Sequence, residues 1–147
     1  MNPLEFLDLA SEWSVGTREG EWRSSISRAY YAVFHVARNL LAQVGFQVPS
    51  ASVSHQYLFQ RLNNCGEPIV QKAATLLNNL RRERNFADYD LDAPVDEQRA
   101  IDAVNDATDV NSTLTDLAAN PGLLPQVTQA MRDYERQVLG VVTWRSP

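Results

Sequence analysis

Apolar residues recur along this chain every three to four positions, the spacing that gathers them on one face of an α-helix. The longest stripe is Ile26, Ala29, Tyr30, Val33, Ala37, Leu40, Leu41 and Val44. It predicts a helix over about 21–44, with Tyr31, Phe34 and His35 beside the stripe and widening the buried face. Gly45 stands where a helix closes on a left-handed residue, and Pro49 prevents resumption. A shorter helix precedes this one. Asn2-Pro3 reads as a cap with proline at the first helical position, and Leu4, Leu7, Ala10 and Trp13 repeat behind it. Gly16 and Gly20 interrupt the pattern before the long helix begins.

Beyond a loop at 46–53, Ser52 or Ser54 is placed to cap a helix carrying Tyr57, Leu58 and Leu62, which Asn63-Asn64-Cys65-Gly66 ends. Pro68 starts a further stripe of Ile69, Ala73, Leu76, Leu77 and Leu80. That stripe runs into Arg81-Arg82-Glu83-Arg84-Asn85, whose cations suit the negative C-terminal end of a helix. Asp92, with Pro94 in the first turn, predicts a helix lined by Ile101, Val104, Ala107, Thr108, Leu114 and Leu117. Asn120-Pro121 opens the last helix, on Val127, Ala130, Met131, Tyr134, Val138 and Val141. No segment alternates with period two and no Asn-Gly or Asp-Gly hairpin turn occurs. The expected fold class is all-α, an antiparallel helix bundle in one domain over residues 1–147.

Composition narrows the function. The 147 residues are 44% apolar and suffice for a buried core without staples. A net charge of −5 disfavours a broad non-specific nucleic-acid surface while leaving room for a local one, and the densest basic group is Arg81, Arg82 and Arg84. The single cysteine, Cys65, excludes a disulfide framework and a multi-cysteine zinc site. The first residues lack the basic and apolar regions of a signal peptide, and no apolar run approaches the roughly 18 residues of a membrane span. A cytoplasmic protein without metal or cofactor is expected.

Familiar catalytic motifs are missing. The chain has no glycine-rich phosphate loop, no Gly-x-Ser-x-Gly elbow and no His-Glu-x-x-His pair. Its two histidines, His35 and His55, fall on different predicted helices, and Cys65 reads as a passive thiol at a helix end. Trp144 is either an exposed anchor for a partner or part of a folded-back tail.

Two segments stand out: Ser27-Arg28-Ala29-Tyr30-Tyr31-Ala32-Val33-Phe34-His35, and Leu80-Arg81-Arg82-Glu83-Arg84-Asn85-Phe86-Ala87-Asp88-Tyr89-Asp90. In this order and at this distance they resemble the HEPN superfamily. More narrowly, they resemble a prokaryotic subfamily with a Ser-Arg-x-Tyr-Tyr-Ala-x-Phe helix and a later Arg-x-x-Ala-Asp-Tyr segment, whose habit Ser54-His55 also fits. The resemblance covers about residues 21–118, with the first and last helices as additions. It implies a four- to five-helix bundle that forms a two-fold homodimer. In catalytic members it also implies a metal-independent ribonuclease whose Arg-x(4–6)-His motif straddles the dimer. There an arginine stabilises charge on the scissile phosphate while a histidine moves protons at the 2′-hydroxyl and the leaving oxygen.

This chain supplies the arginine half of that motif. Arg84-Asn85 matches its start, but Asp88, Tyr89, Asp90 and Leu91 follow, with Tyr89 nearest to the histidine position. A tyrosine with an ordinary value near 10 is a poor base at neutral pH, and aspartate repels phosphate. The expectation is a degenerate, non-catalytic module that binds nucleotide, RNA or a partner protein. It would belong to a toxin–antitoxin or nucleotidyltransferase-linked system. The binding candidates are Arg28, Tyr31, Arg81, Arg84 and Asn85; the candidates for catalysis are Arg84, Tyr89 and His35. Two alternatives stand beside it: a ribonuclease toxin with an atypical site, and an adaptor that binds only protein. A structural role is also open, in which Arg28 and Arg84 pair with Asp88 or Asp90. The sequence leaves open whether the two arginine-bearing segments meet within one subunit or across two.

Overall fold

Six α-helices account for most of the described residues: α1 (Leu4–Ser14), α2 (Glu19–Gln43), α3 (Val53–Asn63), α4 (Pro68–Tyr89), α5 (Glu97–Ala118) and α6 (Leu123–Tyr134). A π-helical turn, Glu135–Leu139, extends α6. The structure is a computed structural model that describes residues 1–50 and 52–147. The predicted loop at 46–53 includes residue 51, which lies outside the described residues. The fold is an all-α helix bundle; the described residues form no sheet, only an isolated bridge between Phe46 and Trp144. Among the described residues, no helix is long and apolar enough to cross a membrane.

The chain divides into two compact units, residues 1–35 with 76–111 and residues 36–75 with 112–147. In the first unit the Ser25 hydroxyl donates to the Ala10 carbonyl, tying α2 to α1, and Ala10, Ile26, Ala29, Leu80 and Ala107 are fully buried or nearly so. The indole of Trp22 donates to the Gly16 carbonyl, closing the α1–α2 turn. Arg99 and Glu83 form a two-armed pair between α5 and α4.

The start of α5 departs from expectation. The cap is Asp96, whose carboxylate accepts the Arg99 amide, and Asp92 and Pro94 lie in the connection before it. The reason is a clasp from α2. The Arg23 guanidinium donates to the carbonyls of Ala87, Asp90 and Ala93, and the Glu19 carboxylate accepts the Val95 amide. These bonds satisfy orphan groups at the end of α4 and hold the 90–95 connection out of helix. A second departure concerns the cations of α4. The helix runs on to Tyr89, so Arg81, Arg82 and Arg84 lie inside it rather than at its negative end.

In the second unit α2 closes in a Schellman motif. The Phe46 amide donates to the Leu41 carbonyl and the Gly45 amide to that of Ala42, with Gly45 at φ +113°. The last helix also departs from expectation. Val127 and Met131 are buried as predicted, but α6 widens at Glu135, and Val138 and Val141 are 66% and 43% exposed. The wider turn shifts the register of the apolar stripe, and Glu135, not a valine, faces inward. Its carboxylate accepts from Nε and one terminal nitrogen of Arg61, at 3.0 and 2.8 Å, and from the Thr143 hydroxyl and the amides of Thr143 and Trp144.

These bonds pull the C-terminal segment back as a strap. The Gln47 amide donates to the Thr143 carbonyl, the Arg145 amide to the Gly45 carbonyl, and the Trp144 indole to the Val44 carbonyl. Of the two readings of Trp144, the folded-back tail is the one observed. The strap also explains Gly45 independently of its backbone angle, since a Cβ there would lie 2.3 Å from the Arg145 carbonyl oxygen.

Candidate functional site

The helical period of α2 puts Ser27, Tyr31 and His35 a turn apart, with Arg28 one residue along from Ser27; α4 brings Arg84 and Asp88 against them. The Arg84 guanidinium donates to the Tyr31 hydroxyl oxygen and to the side-chain oxygen of Asn85, and lies 5.0 Å from the Tyr31 ring centre. Its Nε faces Asp88 at 3.8 Å, close enough for charge attraction but beyond a hydrogen bond. That Nε–H is buried and has no acceptor. The Ser27 hydroxyl donates to the same Asp88 carboxylate at 3.2 Å. The two arginine-bearing segments therefore meet within one chain.

Arg28 is held differently. Its guanidinium sits 4.8 Å from the Phe6 ring centre and 5.3 Å from that of Tyr31, and no carboxylate or other hydrogen-bond acceptor pairs with it among the described residues. Stacking on aromatic faces stabilises a cation while leaving its in-plane N–H donors available. The imidazole of His35 belongs to the same cluster, its ring centre 6.2 Å from Phe6 and 6.4 Å from Tyr31. Below them Tyr30 is buried. Burial pushes its hydroxyl well above the ordinary tyrosine value, against the opposing pull of the Arg81 and Arg84 charges. The hydroxyl stays neutral and cannot act as a base at physiological pH.

Arg28, Tyr31, Arg84 and Asn85 thus form one cluster, with His35 at its edge. Arg81 is half-buried on the same helix and acts on Tyr30 through its charge. Tyr89 is 77% exposed and makes no hydrogen bond or ring contact among the described residues. The expected pairing with acidic groups holds for Arg84 with Asp88 and not for Arg28; Asp90 contributes its backbone carbonyl to Arg23. Three contributors went unnoticed in the sequence. Phe6 carries an ordinary apolar signal, Ser27 was read only as part of a motif, and Arg23 acts on carbonyls that leave no mark in sequence. Among the described residues no group of histidine, cysteine and carboxylate side chains could hold a metal ion. The thiol of Cys65 is buried and raised above its ordinary value by that burial, which suits a passive group.

A family model described as HEPN domain matches residues 6–117, a span that includes every residue of this cluster. The uncharacterized protein MJ0992 of Methanocaldococcus jannaschii is 26% identical over 116 residues, covering 68% of this chain. The chain spans 65% of the length of that curated relative. No solved structure matches the chain.

Proposed function

Because this chain belongs to the HEPN domain family, we propose that it acts as a non-cleaving member, a module that grips the phosphate backbone of single-stranded RNA with Arg28 and Arg84 beside Tyr31. The observation that carries this reading is Arg28: a guanidinium stacked between Phe6 and Tyr31 with no carboxylate partner. Such a group makes charge-assisted bonds to phosphate at little cost in ordering, because the two rings already hold the side chain in place. Arg84 supports it from α4, its charge partly offset by Asp88. The motif segments on α2 and α4 favour the prokaryotic subfamily, and with it a homodimer of the 16.5 kDa chain working beside a nucleotidyltransferase-type partner in a toxin–antitoxin arrangement. Light scattering that gives a monomer mass at micromolar concentration would count against the dimer.

Absence of cleavage follows from the chemistry of the α4 motif. The residue nearest to the nuclease histidine is Tyr89, an exposed side chain, and a tyrosine hydroxyl is a poor proton acceptor at neutral pH, so the motif supplies Arg84 with no general base. The test is binding and cleavage of total RNA and tRNA without added metal. Native protein should bind and leave the RNA intact. With two arginines engaged, the logarithm of affinity should fall with the logarithm of salt at a slope of about −1.4 on single strands. Arg28→Ala should reduce that slope by about half.

One observation favours a second reading, a metal-independent ribonuclease: His35 stands in the same aromatic cluster as Arg28. Cleavage lost in His35→Ala and in Arg84→Ala alike would establish it in place of the first.

A further inference from the structure

The second unit contains a cavity of about 360 Å³ between α3 and the strap, within the size range of small-molecule sites. Val53, Gln56, Tyr57 and Gln60 form its helical side; Leu139, Val141 and Thr143 form the other. Gln47 and Pro49 line it from the α2–α3 connection. Its C-terminal wall lies outside the span that the family match covers.

The chemistry of this lining is selective. Its one charged member, Arg61, is committed: Nε and one terminal nitrogen donate to Glu135, and the other donates to the Tyr57 carbonyl. The guanidinium also covers one face of the Tyr57 ring at 3.4 Å and is only 2% exposed. The Tyr57 hydroxyl is spent as well. Thr143 donates its own proton to Glu135, so Tyr57 donates to Thr143. No charge is left in the cavity for a phosphate, carboxylate or ammonium group. What remains is an apolar surface from Pro49, Val53, Leu139 and Val141, and the side-chain amides of Gln47, Gln56 and Gln60. None of those amides is bonded within the chain among the described residues. A primary amide offers a donor and an acceptor side by side, the pair that reads the edge of a heterocycle.

We propose that this cavity binds an uncharged planar heterocycle of the nucleobase class, held by the glutamine amides at its edge and by the valine and leucine side chains on its face. The base could come from a free nucleoside or from a nucleic-acid strand, and the test separates the two. The four ribonucleosides are titrated singly by calorimetry, with the glutamine side-chain amides followed by nitrogen-15 NMR. A single-stranded oligonucleotide is titrated in an Arg28→Ala/Arg84→Ala background, so that failure of the phosphate reading leaves this result intact. Gln56→Leu/Gln60→Leu removes both amides at two positions that are not in the core, and an unchanged thermal melt verifies its fold. At least one nucleoside should bind with its shifts on Gln56 and Gln60, and the double variant should weaken it about tenfold or more. Glutamine-dependent binding of the oligonucleotide alone would assign the base to a strand. Binding of neither, or binding that the double variant leaves unchanged, would overturn the proposal.

Discussion

Glu135 and Asp106 show how two carboxylates in one chain come to oppose each other in their response to pH. Burial pushes the Glu135 carboxyl up, but the bonds from Thr143 and the Arg61 guanidinium outweigh it and hold the group below the ordinary carboxylate value. It therefore contributes stability above the unfolded value near 4.5, and that contribution disappears as pH falls through its folded value. Glu135→Gln at neutral pH leaves Arg61 as an uncompensated buried cation and should cost about 3–5 kcal/mol. Asp106 has the opposite sign. Burial raises it first, then the charges of Asp109, Asp102 and Glu83. Its ionisation weakens the fold as pH climbs from below 3.8 through the raised value, so Asp106→Asn should stabilise at pH 7 and change nothing at pH 3. Urea titrations of both variants at the two pH values check both signs together. Neither effect is legible in the sequence, where Glu135 is one polar residue near the end of an amphipathic stripe and Asp106 one of several acids on α5.

At the scale of elements, most of what periodicity could express was readable. The stripe from Ile26 to Val44 gave α2 to within two residues, and Gly45 gave its end. The failures at the start of α5 and the end of α6 share one cause: tertiary hydrogen bonds that local pattern does not encode. Asp92 and Pro94 look like a helix start, yet Arg23 and Glu19 of α2 hold that stretch and move the cap to Asp96. Val138 and Val141 continue the stripe of α6, yet the π turn at Glu135 breaks the register. The strap was no more visible, because Gly45 serves two purposes and sequence reveals only the helix end. Gly45→Ala separates them. Positive φ makes alanine cost about 1–3 kcal/mol, and the Cβ would also lie 2.6 Å from the Trp144 indole nitrogen. The expected result is a folded protein with a detached tail, seen as red-shifted tryptophan emission and rapid amide exchange over residues 141–147. Unchanged emission and exchange would show that the strap is not held at Gly45.

For the whole molecule, the family was legible because two motifs on distant stretches of chain had to be read together, and α2 and α4 do meet at Tyr31 and Arg84. The condition of the site was only half legible. Missing histidine at the α4 motif is a fact of sequence, but the separation of roles between the arginines is not. Arg84 is 11% exposed and tied to Tyr31, Asn85 and Asp88; Arg28, four residues from an ordinary-looking Ala32, is stacked and uncommitted. With a net charge of −5, long-range attraction for nucleic acid is weak, so any RNA affinity must come from those local donors. The most direct test is RNA binding and cleavage across a salt series, comparing native protein with Arg28→Ala, Arg84→Ala and His35→Ala. The account predicts intact RNA throughout, binding that weakens with salt, and a slope that falls by about half without Arg28. Binding indifferent to Arg28 and Arg84, or RNA cut by native protein and spared by His35→Ala, would contradict it.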